Sequence, residues 1–415
     1  MKSASQILSA LSSVSFLIIL FLFSSCEEEN KSPEPGQWTG YLEVQEGKKL
    51  PVRFAVVEEG ESWKMTFYNA EETLDSYVAK LAEEKAKVEF PVFETHFDLN
   101  YSKDSLWGKY LLPNLGRELN FSARPGKMKG ADLEPSDANF EGSWQAVFET
   151  ETPTPYPALA EFKQEGTRLT GTIRTTTGDY RYLEGEVKKD SLWLSTFDGA
   201  HQFLFLAGME SDSLKGKFYS GNHYLSEFTA WKNAEYELPS PDSLTYLLPG
   251  YDRLAFSFKD TEGQLRSLED EEFKGKPVVV QLIGSWCPNC LEESRFVAQY
   301  RKAHSEIEVP FVALAFEYAK PEEKALSLLK RHQDRLEMDY PILLAQYGGV
   351  DKQDAQQKLP MLSSVWSYPT ILFLDKNHKP IRIHAGFNGK ATGEVYQKFT
   401  EEFHETLVEL QGQLK

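Results

Sequence analysis

"VVVQLIGSWCPNC", residues 278–290, decides the fold of the C-terminal part of this chain. An unbroken apolar run suits a central strand buried on both faces. It ends at Gly284 and leads into Cys287 and Cys290, separated by Pro288 and Asn289. After Cys290 the residues Phe296, Val297 and Tyr300 fall on one face of a helix. A strand, then C-x-x-C, then a helix places Cys287 at a helix N-terminus, where unpaired N–H groups and the helix dipole favour a thiolate. A free thiol titrates near about 8.5, and such positions lower that by one to several units. Only the thiolate attacks a disulfide, and two intervening residues let the second sulfur swing back to release the mixed disulfide. Pro288 stiffens the first turn without removing a needed donor. A structural staple is the competing reading, but so short a loop constrains the unfolded chain little, so the redox reading stands ahead of it.

Around this segment the pattern is α/β with a central sheet. "VPFVALAFE" (309–317) is a second buried strand, and "PEEKALSLLKRHQ" (321–333) starts as helices start, with proline and acids in its first turn. "PTILFLD" (369–375) and "PIRIHAG" (380–386) read as a terminal strand pair. Val395, Phe399, Phe403, Leu407 and Leu410 recur at helical spacing.

The N-terminus reads as a targeting segment. Lys2 precedes the apolar run "FLIILFLF" (16–23), followed by "SSC" at 24–26. The run is short for a bilayer span and acidic residues follow at once. This resembles a bacterial lipoprotein signal, with cleavage before Cys26 and lipid on its sulfur; Phe23 stands where the usual lipobox has leucine. An ordinary secretory signal or a marginal membrane span are the alternatives. Acyl chains on Cys26 would hold the protein on a membrane. The chain has three cysteines, so lipidation of Cys26 leaves Cys287 and Cys290 with only each other or an external thiol. A four-cysteine zinc site is then excluded, and the eight scattered histidines form no metal-binding spacing. Neither a metal nor another cofactor is expected. The formal net charge of −18 argues against nucleic acid as a partner.

Residues 36 to about 235 alternate apolar and polar positions, as in "LPVRFAVVEE" (50–59), "SWKMTFYN" (62–69), "THFDLNYS" (95–102) and "LTGTIRTT" (169–176). "GQWTG" at 36–40 returns as "GSWQA" at 142–146, and "DSLWGKY" at 104–110 returns as "DSLKGKF" at 212–218. Two landmarks in one order and at nearly one spacing predict two copies of a β unit, each a small barrel or sandwich, or both closed into one larger barrel. The aromatic residues are expected to fill barrel cores rather than line a ligand cavity. The expected organisation is a signal peptide over 1–25, a lipid anchor and tether over 26–35, β repeats over 36–137 and 138–235, a linker over 236–250 and an α/β domain over 251–415. The fold class is therefore multidomain: an N-terminal all-β tandem repeat followed by an α/β thioredoxin-like domain.

That last name rests on resemblance. "VVVQLIGSWCPNC", the lead-in "FSFKDTEGQLRSLEDEEFKGKPVVV" (256–280) and "SYPTILFLDKNHKPIRIHAG" (367–386) resemble the TlpA/ResA class of exported thiol–disulfide oxidoreductases. The resemblance covers the C-terminal 165 residues or so and nothing upstream. It implies a Cys287–Cys290 redox disulfide, with Cys287 as nucleophile and Cys290 as resolving thiol. It implies that Pro369 is a cis-proline facing the pair, exposing the Tyr368 backbone to a substrate strand. It implies that Glu293, six positions after the first cysteine, tunes the thiols or moves a proton. Trp286, Pro288, Asn289 and Gln281 make up the remaining active-site environment. Gln281 departs from thioredoxin, which has a titratable aspartate there, and this places more weight on Glu293. Ser367 and "KNH" (376–378) are further departures.

The function so implied is reduction of disulfide-containing protein substrates, with electrons from a membrane donor, in the cell envelope of a Gram-negative bacterium, facing the periplasm or the cell surface. An alternative from another class makes the β units a lipid-, peptide- or glycan-binding module and the redox domain an accessory. A peroxidase is a third reading; "IGSWCPNC" lacks the threonine of a peroxidatic motif.

Overall fold

A computed structural model describes residues 32–60, 62–82, 84–126 and 138–414. The expected signal segment and Cys26 lie outside the described residues. Among the described residues no helix is long and apolar enough to cross a membrane.

The first β unit comprises β1 (Gly36–Glu43), β2 (Lys49–Glu59), β3 (Ser62–Asn69), β4 (Glu72–Asp75), β5 (Tyr77–Ala82), β6 (Lys85–Glu89), β7 (His96–Ser102), β8 (Ser105–Leu112) and β9 (Arg117–Pro125). They form one antiparallel sheet in the order β4-β3-β2-β1-β9-β8-β7-β6-β5. The two ends of that order meet at Ser76, whose N–H donates to the Met65 carbonyl (3.0 Å) and whose hydroxyl accepts from the Met65 N–H (3.2 Å). The alternating residues put Phe54, Phe67, Phe97, Tyr110 and Phe121 inside, with Phe97 packed 4.7 Å from Phe121.

The second unit comprises β10 (Gly142–Phe148), β11 (Tyr156–Glu165), β12 (Arg168–Thr175), β13 (Gly178–Asp179), β14 (Leu183–Lys188), β15 (Ser191–Phe197), β16 (Gln202–Glu210), β17 (Ser213–Ser220) and β18 (Tyr224–Lys232). Here β10 pairs with both β11 and β18, and β11 with β12, so the sheet closes on itself as a barrel. Phe148, Phe205, Phe218 and Phe228 fill it, with Phe205 and Phe218 stacked at 4.5 Å. These buried aromatic residues fill the cores of both units, whereas Trp107, Trp193 and Trp231 are exposed.

The repeat is physical. Trp38 on β1 and Trp144 on β10 are each 2 % exposed, and each indole N–H donates 2.8 Å to a carbonyl four residues upstream, that of Glu34 or Phe140. The "DSLWGKY" and "DSLKGKF" segments form β8 and β17, the next-but-one neighbours of β1 and β10 in their sheets. The two units also lean on one another. Phe197, at the end of β15, inserts between Phe67 and Tyr110 of the first unit, 5.2 Å from each ring. Asn69 clasps it by accepting from the Phe197 N–H (3.0 Å) and donating to the Phe197 carbonyl (2.9 Å).

The α/β part contains β19 (Ser257–Asp260), β20 (Leu265–Ser267), β21 (Val278–Ile283), α1 (Pro288–Ala303), β22 (Phe311–Glu317), α2 (Glu322–Arg335), β23 (Ile342–Tyr347), α3 (Lys352–Lys358), β24 (Thr370–Leu374), β25 (Pro380–Ala385) and α4 (Glu394–Gln411). The sheet order is β20-β19-β23-β22-β21-β24-β25, with β21, β22 and β23 parallel. Every residue of β21 and β22 is buried, which is why both read as continuous apolar runs. Phe399, Phe403, Leu407 and Leu410 of α4 close the core below. The strand β23 and the helix α3 carry no sequence expectation and complete the parallel part of the sheet. Residues 236–250 pack as they connect: Asp242 takes Arg382 Nε at 2.8 Å and His384 Nδ1 at 2.7 Å, and Leu247 bridges Leu362.

Candidate active site

Strand β21 runs out at Ile283, and the turn over 284–286 carries the chain into α1. Cys287 is the N-cap residue of α1, in extended backbone (φ −98°, ψ 115°). Its Sγ accepts from the Cys290 N–H at 3.2 Å, the place where an N-cap oxygen would satisfy a helix's unpaired donor. Pro288 occupies the first helical position, where no intrahelical donor is required. Cys287 and Cys290 are joined as a disulfide, with Cα atoms 5.2 Å apart. Cys287 is 6 % exposed and Cys290 is fully buried.

The expected surroundings converge on this pair. The Tyr368–Pro369 peptide bond is cis, and the Tyr368 carbonyl oxygen lies 3.6 Å from Cys287 Sγ. The Pro369 carbonyl accepts from the Gly386 N–H at 2.9 Å, which ties this loop to the end of β25. Trp286 donates its indole N–H to the Phe316 carbonyl at 2.9 Å and lies edge-on to Tyr318 and Tyr368. A second cis bond, Lys320–Pro321, precedes α2.

Glu293 is fully buried one turn beyond Cys290. Gln281 Nε2 donates to its Oε2 at 2.7 Å, while its Oε1 has no hydrogen-bond partner among the described residues. Burial pushes its carboxyl up to about 8, against the modest opposing effect of the Gln281 hydrogen bond. Gln281 in turn accepts from the Tyr340 hydroxyl at 2.6 Å. The resemblance implied only a tuning or proton-moving role for Glu293; its burial is a finding of the structure.

Three features here carry no sequence expectation. Glu317, at the end of β22, is 2 % exposed and accepts from the Ser285 N–H (2.7 Å) and hydroxyl (2.8 Å). Burial pushes it up to about 7, and so the turn before Cys287 rests on a second buried acid. The final acid of an apolar run "VALAFE" was the available signal. The second feature is Tyr340, which completes the Tyr340–Gln281–Glu293 chain. The third comes from the second barrel: Asn289, between the cysteines, donates its side-chain amide to the Asp179 carbonyl at 3.0 Å and to the Phe387 carbonyl at 3.2 Å. Nothing in the local sequence around residue 179 marks it as a neighbour of residue 289.

Chemically, the arrangement supplies a sulfur at a helix N-terminus, a partner sulfur three residues on, a backbone carbonyl beside the first sulfur, and a buried carboxyl that exchanges its proton near the pH range of a thiol.

Comparison with known proteins agrees with this geometry. The family model described as Redoxin matches residues 250–397. The chain is 29 % identical over 131 residues to the thioredoxin-like protein YneN of Bacillus subtilis, covering 32 % of this chain and 68 % of that protein. It is 25 % identical over 158 residues to the thiol-disulfide oxidoreductase ResA of Halalkalibacterium halodurans, covering 38 % and 76 % respectively. Among solved structures, a thiol-disulfide oxidoreductase from Bacteroides fragilis aligns over 36 % of this chain and 99 % of its own, at 13 % identity and a TM-score of 0.27. A thiol:disulfide interchange protein of the thioredoxin family from Chlorobium tepidum aligns over 36 % and 94 %, at 19 % identity and a TM-score of 0.26. Residues 250–397, which hold the cysteine pair, the cis-proline loop and both buried acids, form a Redoxin domain.

Proposed function

We propose that the protein is an envelope-anchored thiol–disulfide oxidoreductase that reduces disulfides in other proteins. The observation that carries this reading is the Cys287–Cys290 pair, with Cys287 capping α1 and lying 3.6 Å from the Tyr368 carbonyl beside the cis bond. In the reduced enzyme the Cys287 thiolate attacks one substrate sulfur. The substrate S–S bond breaks, a mixed disulfide forms, and the departing thiolate takes a proton. Cys290 then loses its proton, attacks Cys287 Sγ and closes the enzyme disulfide. The substrate leaves as two thiols, having gained two electrons and two protons. In this reading Glu293, buried one turn beyond Cys290, takes the Cys290 proton. Tyr368 and Pro369 present the backbone against which a substrate segment pairs.

The enzyme is left oxidised, so each cycle needs a dithiol donor; a membrane donor fits a chain tethered by lipid on Cys26. The apolar run before Cys26 supports that anchor, and replacing Cys26 by Ser should move the protein from the membrane fraction to the soluble one. Unchanged partitioning would remove the anchor from this reading.

The reduction potential tests the direction. Equilibration in graded dithiothreitol buffers, followed by trapping of free thiols, measures it. A value near about −270 mV supports a reductase, and one near about −120 mV makes the protein an oxidant. A pair that never cycles transfers the function to the barrels.

A further inference from the structure

Between β12 and β14 the second barrel sends out residues 176–182, and this loop lies on the start of α1. Gly178 forms a parallel bridge with Phe387, just past β25. Asn289 donates to Asp179 and Phe387, the Trp366 indole donates to the Thr176 carbonyl at 3.1 Å, and the Gly389 N–H donates to Asp179 Oδ1 at 2.9 Å. The contact is close. A Cβ on Gly178 would stand 2.6 Å from both Asn289 Nδ2 and the Phe387 carbonyl, and one on Gly386 would stand 2.9 Å from the Thr177 backbone.

Arg181 latches the loop. Its buried guanidinium pairs with Glu292 of α1 at 2.6 Å, with Asp198 of the second barrel at 3.6 Å, and with Glu72 of the first barrel. Asn289, which the loop holds, stands between Cys287, 6 % exposed, and Cys290, with no exposure. Beside the loop a groove of about 630 Å³ runs between Thr175–Thr177 and Tyr180 on the barrel and Val365 and Trp366 on the Redoxin domain. Disulfide exchange requires the attacking sulfur to come within bonding distance of a substrate sulfur. The surface around a disulfide in a folded protein collides with the loop before that distance is reached. An extended segment, one chain wide, does not.

We propose that the loop over residues 176–182 is a size filter on the dithiol, latched by the Arg181–Glu292 pair, which restricts the substrate to disulfides carried on extended, unfolded segments. This rests on the oxidoreductase reading of the cysteine pair. Folded proteins gain access only when the loop lifts, and the energy of the latch sets how often it does.

The experiment is single-turnover oxidation of the reduced soluble chain by two substrates, a linear peptide dimer joined by a disulfide and folded insulin. The wild type is expected to react faster with the peptide. Glu292→Ala leaves Arg181 paired with Glu72 and Asp198, so the barrel keeps its buried charge compensated. It should raise the insulin rate about tenfold, which corresponds to about 1.4 kcal/mol of lost latch energy, and leave the peptide rate unchanged. Trp366→Phe deletes only a surface indole donor to Thr176 and should change the insulin rate in the same direction. A wild type that reacts equally fast with both substrates overturns the filter, as do variants that change both rates together or neither. If neither substrate oxidises the wild type, the oxidoreductase reading itself falls, and the filter with it.

Discussion

Gln281 donates a 2.7 Å hydrogen bond to Glu293, and among the described residues this is the one hydrogen bond that the buried carboxyl receives. Gln281 on β21 is a holder for an acid on α1, with Tyr340 fixing its other end at 2.6 Å. A single neutral donor cannot offset complete burial, so the carboxyl keeps its proton up to about 8. That value lies close to an ordinary thiol's, and proton transfer between acid and thiol is then nearly balanced in either direction.

Stability should fall as the pH rises toward 8. Glu293 has a raised folded pKa, about 8 against 4.5 in the unfolded chain. Its contribution is fully present below pH 4.5, is lost progressively above that, and is gone past about 8. Within that window the slope approaches about 1.4 kcal/mol per pH unit for one proton. Glu317, raised to about 7, adds a slope that ends a unit earlier. Glu293→Gln should therefore flatten the stability curve between pH 7 and 8 and leave a decline at lower pH. Chemical denaturation across that range checks it, and an unchanged slope would show that Glu293 ionises normally.

The two cysteines should fail differently. Cys287→Ser abolishes attack on a disulfide-linked peptide. Cys290→Ser leaves the attack intact and accumulates the mixed disulfide, which mass spectrometry reads as an adduct. An adduct on Cys290 in the Cys287→Ser variant would reverse the assignment; the burial of Cys290 argues against that outcome.

If Glu293 takes the Cys290 proton, Glu293→Gln should slow release of the mixed disulfide by about 10²-fold or more and leave its formation unchanged. The wild-type release rate should rise with pH and level off past about 8, and the variant should lose that step. Stopped-flow measurement of both phases separates the effects. Equal slowing of both phases would assign Glu293 a structural role only.

The sequence was most readable where one element decides one property. The Tyr368–Pro369 loop was implied by the family resemblance, whereas the buried strand β21 and the capping Cys287 each follow from a local pattern. So do the paired tryptophans, because the strand that opens each repeat seats its indole by the same local rule. The Glu293 position was legible, but its burial was not: Glu292 beside it is a partly exposed ion-pair partner of Arg181, and only the packed structure tells the two apart. Glu317 and Tyr340 escaped because their role depends on where β22 and the start of β23 lie relative to β21. The Asp179–Asn289 contact escaped for the same reason on a larger scale, since it joins residues that only the docking of barrel and Redoxin domain brings together.

Ser285 gives the second buried acid a direct test. Ser285→Ala removes the 2.8 Å hydroxyl bond to Glu317 and keeps the 2.7 Å backbone bond. A buried carboxyl deprived of one partner costs about 1–3 kcal/mol. The unfolding free energy from chemical denaturation should fall by that amount near neutral pH, and Glu317→Gln should recover part of it by removing the charge. A neutral Ser285→Ala would mean that the backbone bond alone holds the turn before Cys287.

The barrels make the last prediction. Trp144 is 2 % exposed, bonded to the Phe140 carbonyl and tilted against its ring at 6.2 Å, whereas Trp193 on β15 is 43 % exposed. Trp144→Ala should cost about 3–5 kcal/mol, the usual cost of emptying an aromatic core site. Trp193→Ala should stay within about 0.5 kcal/mol, as surface changes do. Trp38→Ala should match Trp144→Ala, because the two indoles have the same burial and the same bond to a carbonyl four residues upstream. A Trp38 variant much milder than its Trp144 counterpart would mean that the seam at Ser76 lets the first unit relax around the cavity in a way that the closed second barrel cannot.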